Sequence, residues 1–186
     1  MHEEKHMKIV IMIFCLTISF LYAPALMAEE PLLQDYTVVV VKDFTVDPNT
    51  PAPDSSGPQF SDNLIYQLRR YNAKFKMFTM VIKEGTHEIK EEEKVLVIGG
   101  EVTGYNPPSA RRRQWQPFAG YTGTAGFAVH CKFVDDESEE VMYETDVQAR
   151  SGSIDTIEQA MLRAAGGAAK IVYHLKMGKE LDAETE

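Results

Sequence analysis

Cysteine and tryptophan are the scarcest residues in this chain of 186, with two and one respectively, and positive charge is also short: 19 Lys+Arg stand against 28 Asp+Glu, a formal net charge of −9. Two cysteines are too few for a disulfide scaffold. The negative balance argues against a general nucleic-acid binder, because neutralising phosphates requires a net or clustered positive field. Long apolar runs are missing after the N-terminus, which excludes a polytopic membrane protein, and 44% hydrophobic residues exclude a natively disordered chain. Metal-ligand spacing is absent as well: His2, His6, His87, His130 and His174 match no such pattern with one another or with Cys131. No serine stands in a nucleophile-elbow context. The sequence therefore nominates no catalytic residue, no cofactor and no metal, and the expectation is a protein that is not an enzyme.

What is present begins with an export signal. Ile9 to Tyr22 is an unbroken apolar run preceded by Lys5 and Lys8 and followed by Ala23-Pro24-Ala25 and Leu26-Met27-Ala28. Charged start, apolar middle and small-residue exit are the parts of a secretory signal peptide, here residues 1–28, with cleavage after Ala25 or Ala28. Glu3 and Glu4 sit badly in the leading region, and Met7-Lys8 would be the better start. The alternative is an inner-membrane anchor over residues 9–28, uncharged throughout and about 30 Å long as a helix. The expected location is the periplasm or the exterior of a bacterium. Removal of the signal leaves only Cys131, so no internal disulfide can form and stability must come from packing. Cys131 alternates with Phe127, Val129 and Phe133, the pattern of a buried thiol on an apolar strand face.

The remainder reads as one αβ domain over residues 36–177 with a polar tail at 178–186. Val38 to Val41, all apolar, suits a strand covered on both faces. Four prolines and Asp54-Ser55-Ser56-Gly57 make Thr45 to Gln59 an irregular loop and a plausible functional surface. Phe60, Leu64, Leu68 and Tyr71 predict a helix over 60–72, with Ser61 or Asp62 near its start. Strands are expected at Met77–Ile82 and at Val95–Tyr105, where Gly99, Gly100 and Gly104 mark a bulge or a close backbone approach. Lys83 to Lys94, with its run Glu91 to Glu93, reads as a solvated connection. Phe127–Asp135 and Val141–Arg150 form a hairpin pair with one apolar face, to which Val141, Tyr143, Val147 and Ala149 contribute. Ser153 caps a last helix whose stripe runs from Ile154 through Met161 and Ala168 to Leu175, with His174 and Lys176 in the final turn and Gly178 as the stop. Gly166-Gly167 in its middle, beside Ala164, Ala165, Ala168 and Ala169, predicts close approach to the sheet, or alternatively a contact between copies of the chain. The fold expected is α+β, a mixed sheet of about five strands with two main helices in the order β-α-β-β-β-β-α.

Two features invite chemistry. Gly120, Gly123 and Gly126 resemble a phosphate loop, but the strand-forming FAVHCKFV follows where a helix N-terminus is needed, so a nucleotide site is rejected. Arg111, Arg112 and Arg113 with Trp115, Phe118 and Tyr121 form a concentrated basic and aromatic patch, suited to an anionic head group, a glycan carboxylate or an acidic protein surface. These six are the candidate partner-binding residues; a solvated loop is the plain alternative.

The segments FSDNLIYQLRRYNAKFKMF, VLVIGGEVTGYNPPSARRR, GYTGTAGFAVHCKFVDDES and IDTIEQAMLRAAGGAAKIVYHL, in that order across residues 36–176, resemble the bacterial family called domain of unknown function 4410. The resemblance implies an exported or lipid-anchored envelope protein whose fold is similar to the αβ domain of curli-secretion and penicillin-binding-protein activator lipoproteins. Many members carry a lipid-acceptor cysteine; here Cys15 follows Phe14 inside the apolar run, so outer-membrane anchoring does not carry over. The family has no agreed activity and supplies no catalytic residue. The functional expectation is a non-enzymatic cell-envelope binding or assembly module whose partner is an envelope protein or anionic surface component. Nucleic acid is not expected, and the membrane is touched only through an uncleaved N-terminal segment. Alternatives are an enzyme or carrier for an anionic ligand at Arg111–Tyr121, and a self-assembling homo-oligomer using the small face of the last helix.

Overall fold

A computed structural model describes residues 31–86, 92–108, 124–151 and 156–179. The elements are β1 (Val38–Val41), β2 (Thr45–Val46), α1 (Ser56–Phe75), β3 (Met80–Lys83), β4 (Val95–Asn106), β5 (Gly126–Asp135), β6 (Val141–Arg150) and α2 (Ile157–Met177). They build a mixed six-stranded sheet of order β3-β1-β4-β5-β6, with β2 continuing alongside β4. β1 runs parallel to both β3 and β4, whereas β4, β5 and β6 are antiparallel. Alternation along the strands decides which side meets the helices. Val39, Val41, Leu96, Ile98, Phe127, Val129, Cys131 and Phe133 join Phe60, Leu64, Leu68, Met161, Ala164 and Ala168 in the main core. On the other side, Val38, Val40, Ile82, Val95 and Val97 form a second apolar cluster. A strand apolar at every position is thus one with a cluster on each face, as the Val38–Val41 run predicts.

Helix α1 begins earlier than its apolar spacing implies. The expected loop over Thr45–Gln59 contains the short strand β2 and the first turn of α1. Pro58 is the third helical residue, where the missing N–H has no intrahelical partner to lose. Ser61 is consequently no cap. Its fully buried hydroxyl accepts from the Phe44 N–H at 3.0 Å and reaches the Lys42 and Gly57 carbonyl oxygens at 3.0 and 3.1 Å, tying the β1–β2 turn to the helix. β3 starts at Met80 rather than Met77, since the Phe78 N–H is taken by Asn72 Oδ1 at 2.8 Å.

The glycines of β4 behave as their spacing predicts. At Gly100, with φ of 152°, a Cβ would collide with the His130 carbonyl and approach the Phe44 ring to 2.9 Å. The β4–β5 register slips between Val102 and Gly104. A second slip lies in the hairpin: Phe133 pairs with Tyr143, yet Val134 pairs with Val141. That bulge moves Val141, expected inside, out to 48% exposure, and Met142 packs against the core instead.

In α2 the buried stripe runs Ala160, Met161, Ala164, Ala165, Ala168, Ala169 and Val172, and Gly178, with φ of 61°, stops the helix as expected. The small face is therefore turned into the protein's own core, with Gly167 against Val147 of β6. It is not free for a contact between copies. Thr156 stands at the N-cap; the expected cap Ser153 and stripe residue Ile154 lie outside the described residues. Among the described residues no helix is long and apolar enough to cross a membrane.

Candidate functional site

The patch predicted from sequence, Arg111, Arg112, Arg113, Trp115, Phe118 and Tyr121, lies outside the described residues, as do the signal segment and Gly120 and Gly123. Gly126 opens β5, so a strand does follow the glycines. Cys131 is fully buried, and burial first, then the Asp146 charge, pushes its thiol up to about 12. Such a thiol stays protonated and inert. His130 faces the opposite side, with Nδ1 2.8 Å from Asp146 Oδ1 and Nε2 3.5 Å from Glu144 Oε2. The two neighbours cannot share a ligand, as their alternation predicts.

The described residues do contain a concave site that sequence reasoning missed. The C-terminal halves of α1 and α2 lie side by side and leave a groove of about 580 Å³ lined by Gln67, Arg70, Tyr71, Lys74 and Phe75 from α1 and by Gly166, Lys170, Tyr173 and His174 from α2. On each helix these residues recur at three- and four-residue steps, so one face of each is turned to the groove. Its wall is aromatic. The rings of Phe75 and Tyr173 are 4.5 Å apart, and those of Tyr71 and Tyr173 5.7 Å apart.

Cations stand around the wall, and among the described residues they have no acidic partners. Lys74 Nζ stands 4.9 Å from the centre of the Phe75 ring, and the Arg70 guanidinium 5.8 Å from that of Tyr66. Arg70 also donates to Gln67 Oε1 at 3.3 Å. Lys179, just beyond α2, donates to the Tyr173 hydroxyl at 2.6 Å. Lys170 has no hydrogen bond or ion pair with any described residue. Among the described residues no carboxylate lines the groove, although acidic residues outnumber basic ones in the chain. Among the described residues the lysine–carboxylate ion pairs lie elsewhere, at Lys42–Glu84, Lys83–Asp43, Lys83–Asp62 and Lys94–Asp35.

Two of the lining side chains are polar and buried. Gln67 is 8% exposed and His174 7%, and the Nδ1 of His174 has no hydrogen-bond partner. At Gly166, also among the lining residues, a Cβ would meet nothing within 4 Å. Sequence carried a signal for all this, the i, i+4 pairs Arg70–Lys74 and Tyr71–Phe75 and the Lys170–Tyr173–His174 run. It could not reveal that the two faces meet. Among the described residues no group of metal-ligating side chains converges.

No family model matches the chain, so its resemblance to domain of unknown function 4410 gains no support there. No curated protein matches it either. Among solved structures it is similar to a PelC point variant from Paraburkholderia phytofirmans, crystallised as a dodecamer, at 14% identity and a TM-score of 0.51 over 76% of this chain and 88% of that one. A second PelC dodecamer from the same organism aligns at 14% identity and a TM-score of 0.50 over 72% of this chain and 86% of the other. A Xanthomonas campestris protein of domain of unknown function 330 aligns at 13% identity and a TM-score of 0.45, covering 78% and 87% of the two chains. At these identities the likeness is one of fold: this chain is an α+β protein built like a PelC subunit.

Proposed function

We propose that the protein is an exported, non-enzymatic module of the bacterial cell envelope that works by binding an anionic component in the groove between α1 and α2. The observation that carries this reading is the gathering of Arg70, Lys74 and Lys170 around one aromatic groove with no carboxylate among its described lining residues, in a chain of net charge −9. Cations collected against the overall charge, on ring faces rather than on acids, favour an anion from outside the chain. Export rests on the leader over residues 1–28, and the stretch from Arg111 to Tyr121 is a second contact surface of similar chemistry. The likeness to PelC dodecamers supports a homo-oligomer as the working form.

The test is crosslinking in the intact envelope with the wild-type chain and with a triple variant carrying Arg70→Gln, Lys74→Gln and Lys170→Gln. Surface changes of this kind alter stability by no more than about 0.5 kcal/mol each, so the variant folds. It is expected to lose the crosslinked neighbours that the wild type acquires. Unchanged crosslinks, a cytosolic pool of full-length chain, or turnover of a metabolite by the purified protein would each overturn the reading.

A further inference from the structure

We infer that β6 is the edge through which two copies of this chain join, strand against strand and antiparallel, into one continuous sheet. The inference rests on the homo-oligomer reading above and adds the surface that makes the contact. Among the described residues β6 has β5 as its single paired neighbour, so its far side is the free edge of the sheet. The Ser151 N–H donates to the Ala125 carbonyl, toward β5. Main-chain groups of successive strand residues point to opposite sides, and the pairing with β5 is unbroken from Tyr143 to Arg150. Glu144, Asp146, Gln148 and Arg150 therefore turn their N–H and C=O groups outward. The Arg150 carbonyl accepts from Arg163 of α2 at 2.9 Å, and the Asp146 carbonyl meets the adjacent Thr145 hydroxyl at 3.5 Å, the outer limit of a hydrogen bond. Those of Glu144 and Gln148 have no partner among the described residues.

The opposite edge of the sheet is closed to such pairing. β3 has four residues, and its Val81 and Lys83 carbonyls accept from Arg69 Nε at 3.1 Å and from the Thr86 hydroxyl at 2.6 Å. β6 runs for ten residues without a proline. Folded proteins shorten or cover the edges they do not use. With one edge open, β6 pairs with itself across a two-fold axis rather than head to tail. Charge then selects the register, since only residues turned outward can stand opposite one another. Centred on Thr145, Glu144 would face Asp146; centred on Asp146, two Asp146 carboxylates would face each other. Centred on Gln148, the overlap leaves Glu144 beyond the end of the second strand. Centred on Val147, Glu144 faces Arg150 of the second copy and Asp146 faces Gln148 of the second copy, each twice over, while the two Val147 side chains meet on the inner face. The strand is complementary to itself in that register, which argues for a second copy as the occupant.

The experiment is sedimentation equilibrium of the purified protein, of Glu144→Arg, of Arg150→Glu, and of the two variants mixed in equal amounts. The wild type is expected to associate in pairs. Each single reversal sets like charges opposite one another at two places and should raise the dissociation constant of the pair by about tenfold or more. Glu144→Arg also makes each copy less negative, so relief of general repulsion between acidic copies would strengthen association, and weakening speaks for the register. In the mixture every changed position faces the opposite charge, so a heterodimer should form at close to wild-type strength, which also shows that both variants fold. An oligomer that either reversal leaves intact, or a mixture that fails to recover, overturns the β6 pairing while the homo-oligomer reading stands. A monomeric wild type, alone or with another envelope protein seated on β6, overturns both.

Discussion

Asp135, at the end of β5, shows how a single side chain can join distant parts of the chain. Its Oδ2 accepts from the Tyr36 hydroxyl at 2.7 Å across 99 positions of sequence. Its Oδ1 accepts from the Ser138 N–H at 2.9 Å, the Ser138 hydroxyl at 3.0 Å and the Glu137 N–H at 3.1 Å, which closes the β5–β6 turn. These donors, the Ser138 N–H first and the Tyr36 hydroxyl next, hold the carboxyl at about 2 instead of its ordinary 3.8. Because the folded value is the lower one, the stabilisation is complete above about pH 4 and is lost as pH falls toward 2. Tyr36→Phe keeps the ring in the core and deletes the donor. It should cost about 1–2 kcal/mol at neutral pH and shrink the stability lost between pH 4 and pH 2. Urea unfolding across that range measures both; a variant with the wild-type acid profile would contradict the assignment.

At the scale of elements, the adjacent glycines of α2 are expected to part company. Both cost helix propensity, yet only Gly166 faces open space; a Cβ on Gly167 would come within 3.2 Å of Val147 Cγ1. Gly166→Ala should therefore add up to about 1 kcal/mol, some 2–4 °C in melting temperature. Gly167→Ala should gain less, because Val147 must yield. Thermal unfolding of the two variants decides it, and an equal or larger gain at Gly167 would contradict the packing. The same scale accounts for what apolar spacing missed. The upstream turn of α1 carries Pro58 and Gly57 rather than periodic apolar residues, so the spacing begins only at Phe60. The hairpin bulge changes the face of Val141 through one extra residue, which alternation by itself cannot register.

For the whole molecule, the homo-oligomer proposed above and the inward-facing small stripe of α2 lead to one expectation about assembly. Under the proposed homo-oligomer, the protein should show a mass above that of one subunit by light scattering. Ala168→Leu should lower stability by about 1–3 kcal/mol through overpacking rather than act by releasing subunits. A monomeric wild type would remove the assembly reading; a fully stable Ala168→Leu monomer would return the small face to the interface. Much of the architecture was legible beforehand. Four consecutive valines placed a central strand, Phe60, Leu64 and Leu68 a helix face, and Phe127 through Phe133 an apolar strand side with Cys131 sealed in it. Each is set by local periodicity, which the chain carries within a few residues.

The groove was not legible in that way, because it belongs to neither helix. Gln67 to Phe75 and Gly166 to His174 are separated by most of the domain, and each reads singly as an ordinary polar helix edge. Composition and local pattern determined most of the strands, the helices and their inward faces, since burial of an alternating or helical stripe needs only neighbouring residues. Only the tertiary structure decided that Arg70, Lys74 and Lys170 gather around one aromatic groove with no acid among its described lining residues, and that the Nδ1 of His174 is buried without a hydrogen-bond partner. Those facts depend on how the two helices lie against one sheet, and juxtaposition across the sequence is what folding adds.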